Sequence, residues 1–280
     1  VHAFVTDPPY YDAVPYADLS DFFYVWLKRS IGPLYKDLFS EDLSPKKGEV
    51  VQLSERNPKY AYKTQTYFEN LMRKSMSEGR RILHPYGIGV VVFAHKTTVG
   101  WETQLNAMID AGWTITGSWP IDTERPGRLR ANNAAALASS VHLVCRPREN
   151  EDGSRKENAI GDWRDVLNEL PKRINEWMPR LAQEGVVGAD AIFACLGPAL
   201  EIFSRYERVE KADGTQITLR EYLEYVWAAV GREALNQIFS GADPTGFEED
   251  SRLTALWLWT LNANADGGSE GSEEDDGDEE

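Results

Sequence analysis

Four consecutive residues near the start of the chain, Asp7, Pro8, Pro9 and Tyr10, combine the groups needed to activate an aromatic amine. They follow an apolar run, residues 3–5, that predicts a short buried strand. The carboxylate and the carbonyl of the first proline can accept both N–H donors of an exocyclic amine, which localises its lone pair on nitrogen for attack on an electrophile. The prolines fix the backbone so that this carbonyl points into a pocket, and the tyrosine offers a flat face on which a base can stack. A Pro-Pro turn with a capping aspartate is the competing interpretation.

The surrounding elements predict a sheet that would hold the quartet at its edge. Residues 88–94 form a strand that is apolar on both faces, which is typical of a parallel sheet covered by helices. Helical spacing over 67–83 and 101–111 flanks it, and two further strands, 113–119 and 139–145, lie close enough to form a hairpin. The order predicts an α/β fold, one part of a doubly wound Rossmann-like sheet, followed by a helical C-terminal region.

A longer stretch carries a family resemblance. The run Thr6-Asp7-Pro8-Pro9-Tyr10-Tyr11-Asp12-Ala13-Val14-Pro15-Tyr16-Ala17-Asp18-Leu19-Ser20-Asp21-Phe22-Phe23-Tyr24-Val25-Trp26-Leu27 resembles the signature of large prokaryotic adenine-specific DNA methylases, which have an N-terminal domain of unknown function and include members tied to phage defence. Residues 82–98, 111–113, 138–140, 196–201 and 256–260 are similar as well. The resemblance implies a Rossmann-like methyltransferase that transfers a methyl group from S-adenosyl-L-methionine to adenine N6. Asp7, Pro8, Pro9 and Tyr10 would be its catalytic residues.

The Gly-rich turn that binds the cofactor in such enzymes is missing before the quartet. Only six residues precede Asp7, so we expect the chain to be the C-terminal part of a methylase whose cofactor-binding half lies upstream or on another chain. Two internal stretches resemble the turn: 87–89, which precedes a strand and is better explained as a turn into it, and 239–243, which follows a helix and is better explained as a loop.

Other residues are candidates for cofactor or DNA contacts. Thr6, Asp7 and His95 are expected near the cofactor, because the carboxyl ends of strands bind ligands in open α/β sheets. Arginines can bind phosphates and asparagine can read adenine edges. A solvated strand end and a solvated loop are equally acceptable interpretations for several of them. The expected nucleic-acid contacts are Tyr11, Lys96, Arg125, Arg128, Arg130 and Asn132.

Charge and composition limit the classes of function. The formal net charge is −15, but residues 266–280 hold nine acids and no Lys or Arg, so the other 265 residues carry only −6. A basic footprint over the whole surface is therefore excluded, although local basic patches are not. The cysteines, Cys145 and Cys195, lie in apolar surroundings and are expected to be buried free thiols. Two cysteines and four scattered histidines do not make a zinc site.

These observations predict the following organisation: a base-binding half of a methyltransferase domain (1–148), a charged linker (149–159), a helical region (160–265) and a disordered acidic tail (266–280). The absence of a signal peptide and of long apolar runs predicts a cytoplasmic protein with no membrane span. DNA, an upstream methyltransferase half and other defence-system subunits are the expected partners. A non-catalytic DNA- or protein-binding remnant, and a methyltransferase acting on RNA or on protein amides, are the alternatives.

Overall fold

The structure is a computed structural model with a mixed α/β architecture. It describes residues 1–10, 14–94, 98–122, 139–150, 152–154, 156, 160–186, 188–239, 246, 248 and 250–256. The loop predicted to contain Arg125, Arg128, Arg130 and Asn132, which we call the arginine-containing loop, and the acidic tail lie outside these residues. The strands are β1 (Ala3–Thr6), β2 (Ile88–Phe93), β3 (Trp113–Asp122), β4 (Ser139–Pro147), β5 (Ile160–Asp162), β6 (Arg208–Glu210) and β7 (Gln216–Ile217). The helices are α1 (Tyr16–Ile31), α2 (Gln65–Ile82), α3 (Thr98–Asp110), α4 (Trp163–Gln183), α5 (Gly188–Ser204) and α6 (Leu219–Ile238), with a 3-10 turn at Pro58–Tyr60.

The main sheet has four strands in the order β1-β2-β4-β3. β1 pairs in parallel with β2, and Ala3 lies opposite Ile88 and Thr6 opposite Val91. β4 runs antiparallel to both of its neighbours, so the predicted β3–β4 hairpin is confirmed while β4 also occupies the position beside β2. The parallel pairing brings the carboxyl ends of β1 and β2 to the same edge of the sheet.

Three helices cover one face of this sheet. On the α2 side, the Trp113 indole donates to the carbonyl of Met76, 3.0 Å away, and stacks on Phe4. On the α5 side, the Ser118 hydroxyl donates to the carbonyl of Phe193 and accepts a hydrogen bond from the Gly197 N–H. The third helix, α3, contributes buried apolar side chains to the same core. Side chains on the opposite face stay partly exposed, among them Val5, Val90, Val92, Val144 and Trp119.

The C-terminal helices share the core of the sheet. Buried side chains run without interruption from α2 through β4 to α4, α5 and α6. The buried guanidinium of Arg148, at the end of β4, donates to the carbonyls of Ile109, Ser204 and Tyr206 and so ties β4 to the ends of α3 and α5. The sequence Thr218-Leu219-Arg220-Glu221 is a capping box, which predicts a helix start, and the structure confirms it, because the Thr218 hydroxyl accepts from the N–H of Glu221. A small sheet, β5-β6-β7, also lies in this region, where helices alone were predicted.

Residues 14–63, which we call the α1 segment, have a small core of their own, formed by Val51, Leu53 and Tyr60. The fully buried Lys63 ammonium lies 2.9 Å from the Glu49 carboxylate. Glu49 in turn accepts from the N–H of Ala17, at the start of α1. Polar contacts therefore hold the inner side of α1, and none of the sixteen residues of this helix is buried.

Within the described residues, no helix is both long enough and apolar enough to cross a membrane.

Candidate functional site

The Asp-Pro-Pro-Tyr quartet directly follows β1, at the carboxyl edge of the sheet. The register of β1 against β2 places Thr6 opposite Val91, two residues before Phe93, where β2 ends. The backbone of the quartet is therefore anchored by a parallel strand pair on one side. This edge is also the place where open α/β sheets bind ligands.

An aromatic contact holds Tyr10 at this edge. Its ring meets the ring of Phe93 edge-on, with centroids 5.4 Å apart and an interplanar angle of 81°. Phe93 is 1% exposed and makes a second edge contact, at 5.0 Å, with Trp101 of α3. Trp101 stacks on Phe193 of α5, which contacts Trp227 of α6. Tyr10 is thus the outer, half-buried end of an aromatic row that continues through three helices.

The Tyr10 phenol is held in its neutral form. Burial raises its pKa to about 12, and the neighbouring Asp7 carboxylate adds to the shift through its charge and through a hydrogen bond from the phenol. The phenol therefore keeps its proton, and with it the ability to donate a hydrogen bond, at neutral pH.

The remaining members of the quartet differ in exposure. Asp7 and Pro9 are exposed, whereas Pro8 is buried. A buried Pro8 gives the turn a fixed position, and the exposed Asp7 carboxylate is open to a ligand. The arrangement therefore presents an anionic acceptor and an aromatic ring side by side on a rigid backbone, which suits an aromatic molecule with N–H donors.

Several predicted contacts cannot be placed in relation to this site. His95 and Lys96 follow β2 closely in the sequence, and Tyr11 follows Tyr10. The described residues do not include His95, Lys96, Tyr11 or the residues of the arginine-containing loop, so the roles of these residues stay predictions. They are Tyr11, His95, Lys96, Arg125, Arg128, Arg130 and Asn132.

The glycines at 87–89 have a structural role. A Cβ at Gly89 would lie 2.7 Å from both the Cys145 sulfur and the Trp113 ring, so the close packing of β2 against β3 and β4 requires glycine there. A Cβ at Gly87 would meet the side chain of Leu83. Gly87 lies in the turn before β2, as predicted, whereas Gly89 is already part of the strand. In the other candidate turn, Phe239 ends a helix and residues 240–243 lie outside the described residues.

Phe93 and Trp101 are the site residues that sequence reasoning missed. A signal for Phe93 was present, because a strand parallel to β1 must end at the same edge as the quartet. No comparable signal pointed to Trp101, whose contact depends on how α3 packs on the sheet.

Two further cavities lie away from the quartet. A polar groove of about 440 Å³ between α2, α3 and α6 is lined by acids and arginines, and Glu102 and Arg220 in it are ion-paired at 2.8 Å. An apolar groove of about 410 Å³ lies between α4 and α6. In the polar groove, acids and arginines neutralise one another. The apolar groove has few polar groups. Neither groove therefore places a free carboxylate beside an aromatic ring, as Asp7 and Tyr10 do.

Metal and thiol chemistry find little support in the described part of the chain. It contains no group of three or more His, Cys, Asp or Glu side chains arranged to bind a metal ion. Cys145 and Cys195 are free and buried, as predicted, and burial raises the pKa of each thiol to about 12. Neither thiol therefore forms a reactive thiolate near neutral pH.

Comparison of the chain with protein-family models, with curated proteins and with solved structures found no match.

Proposed function

We propose that this chain carries the base-binding part of an S-adenosyl-L-methionine-dependent DNA methyltransferase that acts on adenine N6. The observation that carries the proposal is the pairing of an exposed Asp7 with a half-buried Tyr10 at the carboxyl end of β1. The quartet has the composition that adenine-specific methylases use, and its position supports that use.

Each residue of the quartet has a role in this reaction. The Asp7 carboxylate and the Pro8 carbonyl accept the two N–H groups of the adenine amine, which returns the nitrogen lone pair to the nitrogen. The Tyr10 ring stacks on the base after it has rotated out of the duplex, a contact worth about 1–3 kcal/mol. Pro8 and Pro9 keep the acceptors in place, because they restrict the backbone.

The strand directions of the main sheet support a Rossmann-like methyltransferase, although the described helices cover only one face of it, whereas a doubly wound sheet has helices on both faces. β1, β2 and β3 all run in the same direction, β4 is inserted antiparallel between the last two, and helices cover the inner face. In such sheets the ligand lies beyond the carboxyl ends of the strands. The quartet occupies that position.

The described residues do not supply a complete cofactor site. Among the described residues, the Gly-x-Gly at 87–89 lies at the start of β2, where the packing of Gly89 against Cys145 and Trp113 accounts for it. We therefore propose that Thr6, Asp7 and His95 at most border the cofactor, and that a cofactor-binding half, upstream or on another chain, holds it. S-adenosyl-L-methionine supplies an electrophilic methyl group when bound.

DNA is the proposed substrate, and defence-system subunits are proposed partners, by resemblance. Residues 1–265 carry a net charge of only −6, so DNA must be bound by locally clustered basic or polar side chains rather than by an overall positive charge. We assign the base-adjacent contacts to Tyr11 and Lys96, and the phosphate and base-edge contacts to Arg125, Arg128, Arg130 and Asn132.

The test is methyl transfer by the protein purified from its native host, so that any cofactor-binding half is retained. Asp7→Asn should lower the transfer of labelled methyl groups to unmethylated duplex DNA by about 100-fold or more, since losing one preorganised acceptor of a reacting group has effects of this size. Its melting temperature should stay unchanged, because Asp7 is exposed. Asp42→Asn, at a fully exposed carboxylate, is the matched control. Normal activity in Asp7→Asn would contradict the proposal.

RNA and a protein amide substrate belong in the same assay, because both can present an N–H₂ group to the same acceptors. Preferential methylation of either would assign the quartet to that substrate and overturn the DNA assignment.

A non-catalytic binding subunit is the second candidate. The packing role of Gly89 favours it, because that role removes the glycine pattern at 87–89 as a candidate cofactor turn. Calorimetry of the chain with S-adenosyl-L-methionine, together with the transfer assay on the native protein, separates the two. The second candidate predicts that neither cofactor binding nor methyl transfer is detected, while DNA or a partner protein is still bound.

A further inference from the structure

Helix α1 is amphipathic, and its apolar side faces outward. Tyr16, Leu19, Phe23 and Trp26 recur at helical spacing, and Phe22 and Leu27 border them. We call these six side chains the α1 face. They are 46–68% exposed, and Phe22 at 68% is the most exposed of them. Large contiguous apolar patches on a folded protein mark interaction sites.

The polar side of the same helix is already engaged within the chain. The Asp21 carboxylate lies 2.7 Å from the Lys46 ammonium and accepts from the Ser44 hydroxyl, and Asp18 accepts from the Tyr60 hydroxyl. These contacts fix the orientation of the helix. The α1 face cannot therefore turn inward without breaking them, so it stays open to solvent.

The α1 face is large enough for a stable interface. Four of its members are aromatic, and an aromatic side chain buries about 150–250 Å² when fully covered. More than half of each of these rings is exposed, and Leu34, Tyr35 and Leu38 just beyond the helix are exposed too. Together they approach the roughly 800 Å² per partner that stable protein–protein interfaces bury.

Charge argues against two kinds of partner. An anionic membrane surface or a nucleic acid would favour a helix rich in Lys and Arg. Near the α1 face, however, Arg29 lies over the Trp26 ring, Lys28 is paired with Asp42, and the acids Asp37 and Glu41 follow. The surroundings are not basic, so a protein partner is favoured.

We propose that the α1 face binds the same face of a second copy of this chain in an antiparallel, two-fold symmetric pair. With the two-fold axis between Phe22 and Phe23, Leu19 of one helix meets Trp26 of the other, and Phe22 of each helix meets Phe23 of the other. Such an isologous contact uses one patch twice. The antiparallel arrangement also points the two helix dipoles in opposite directions, and it brings Arg29, in the last turn of one helix, opposite Tyr16 at the start of the other.

Sedimentation velocity of the full chain between about 1 and 100 μM tests this proposal. We expect a species of twice the 31.6 kDa chain mass. Phe22→Glu and Trp26→Glu should each weaken the dimer at least tenfold, because each places two carboxylates at a symmetric apolar contact. Tyr86→Glu is the matched control, because Tyr86 is 69% exposed and lies outside the α1 face. Circular dichroism should show that all variants keep their helix content.

Three results would overturn the proposal: a wild-type chain that is monomeric over the whole range, a Phe22→Glu chain that dimerises like wild type, or a monomer whose α1 face binds something else. For the last result, vesicles of neutral and anionic phospholipid and a 20-base-pair duplex are titrated into wild type and Phe22→Glu. Binding of either probe that Phe22→Glu abolishes, with no dimer present, would assign the face to that partner.

Discussion

Tyr10 and Asp7 depend on each other. Burial is the main cause of the raised pKa of the phenol, and the neighbouring Asp7 carboxylate, which is proposed to accept the substrate amine, adds to it. A base that binds at the Asp7 carboxylate therefore lies beside the Tyr10 ring. The edge contact with Phe93 holds the ring in that position.

The raised pKa of Tyr10 predicts that the free energy of unfolding depends on pH in the alkaline range. An unfolded tyrosine ionises near pH 10, whereas Tyr10 in the folded chain ionises near pH 12. The extra stability of wild type over Tyr10→Phe should therefore be complete below pH 10 and decline as the pH rises to 12, because the unfolded phenol ionises first. Chemical denaturation of both proteins from pH 8 to 12 measures it. Parallel stability curves throughout would show that Tyr10 does not carry this shift.

The ring itself should matter more than the hydroxyl for substrate binding. In the native-host protein, Tyr10→Phe keeps the stacking face and should change KM for DNA by no more than about threefold. Tyr10→Ala removes it and should raise KM by about 5- to 150-fold, the range that corresponds to 1–3 kcal/mol of stacking. Equal KM values for the two variants would contradict stacking by Tyr10.

At the scale of elements, close packing of α5 on β3 is the tightest constraint. A Cβ at Gly197 would lie 2.2 Å from backbone atoms of Gly117 and Ser118. Backbone atoms of a strand cannot move aside as the end of a flexible side chain can. The Gly197 N–H also donates to the Ser118 hydroxyl, 2.6 Å away. α5 can thus approach the strand only at a residue without a side chain.

Gly197→Ala should therefore lower the free energy of unfolding by about 3 kcal/mol, at the upper end of overpacking effects. Gly231→Ala is the matched control, since it also lies inside a helix but a Cβ there meets nothing within 4 Å. It should raise stability by about 0.5–1 kcal/mol through helix propensity. Urea denaturation of both variants provides the comparison, and a neutral Gly197→Ala would mean that α5 lies farther from β3.

Local patterns predicted most of the elements but few of their contacts. The apolar run at 88–94, the helical spacing over 67–83 and the capping box at Thr218 correspond to β2, α2 and α6, because these signals involve neighbours in sequence. The position of β4 beside β2 depends on pairing between distant segments, and β5–β7 are too short to show alternation. The outward side of α1 could not be predicted either, because an apolar stripe normally marks the buried face.

At the scale of the whole molecule, charge is unevenly distributed along the chain. Nine of the excess acids lie in residues 266–280, and the proposed DNA contacts lie in the other 265. A segment with this charge repels a polyanion without contacting it. The repulsion between tail and DNA should be strong only where the Debye length is long.

Removal of residues 266–280 should consequently tighten non-specific binding to duplex DNA at about 0.05 M salt. The difference from the full chain should vanish near 0.5 M, where screening shortens the range of the interaction to a few ångströms. Fluorescence anisotropy with a labelled duplex measures both conditions, and replacing the nine acids with Asn and Gln at constant length controls for chain length. A difference that persisted at high salt would point to a contact made by the tail.

The place of β4 between β2 and β3 has a consequence for the synthesis of the protein. The strand that completes the centre of the sheet is made last, since about 54 residues separate the end of β2 from the end of β4. At 5–20 residues per second, β2 waits roughly 3–11 s with one apolar edge unpaired while the ribosome works toward residue 147. Such an edge can pair with a neighbouring nascent chain on the same message. Slower translation between β2 and β4 therefore lengthens the time during which the nascent chain can aggregate instead of folding.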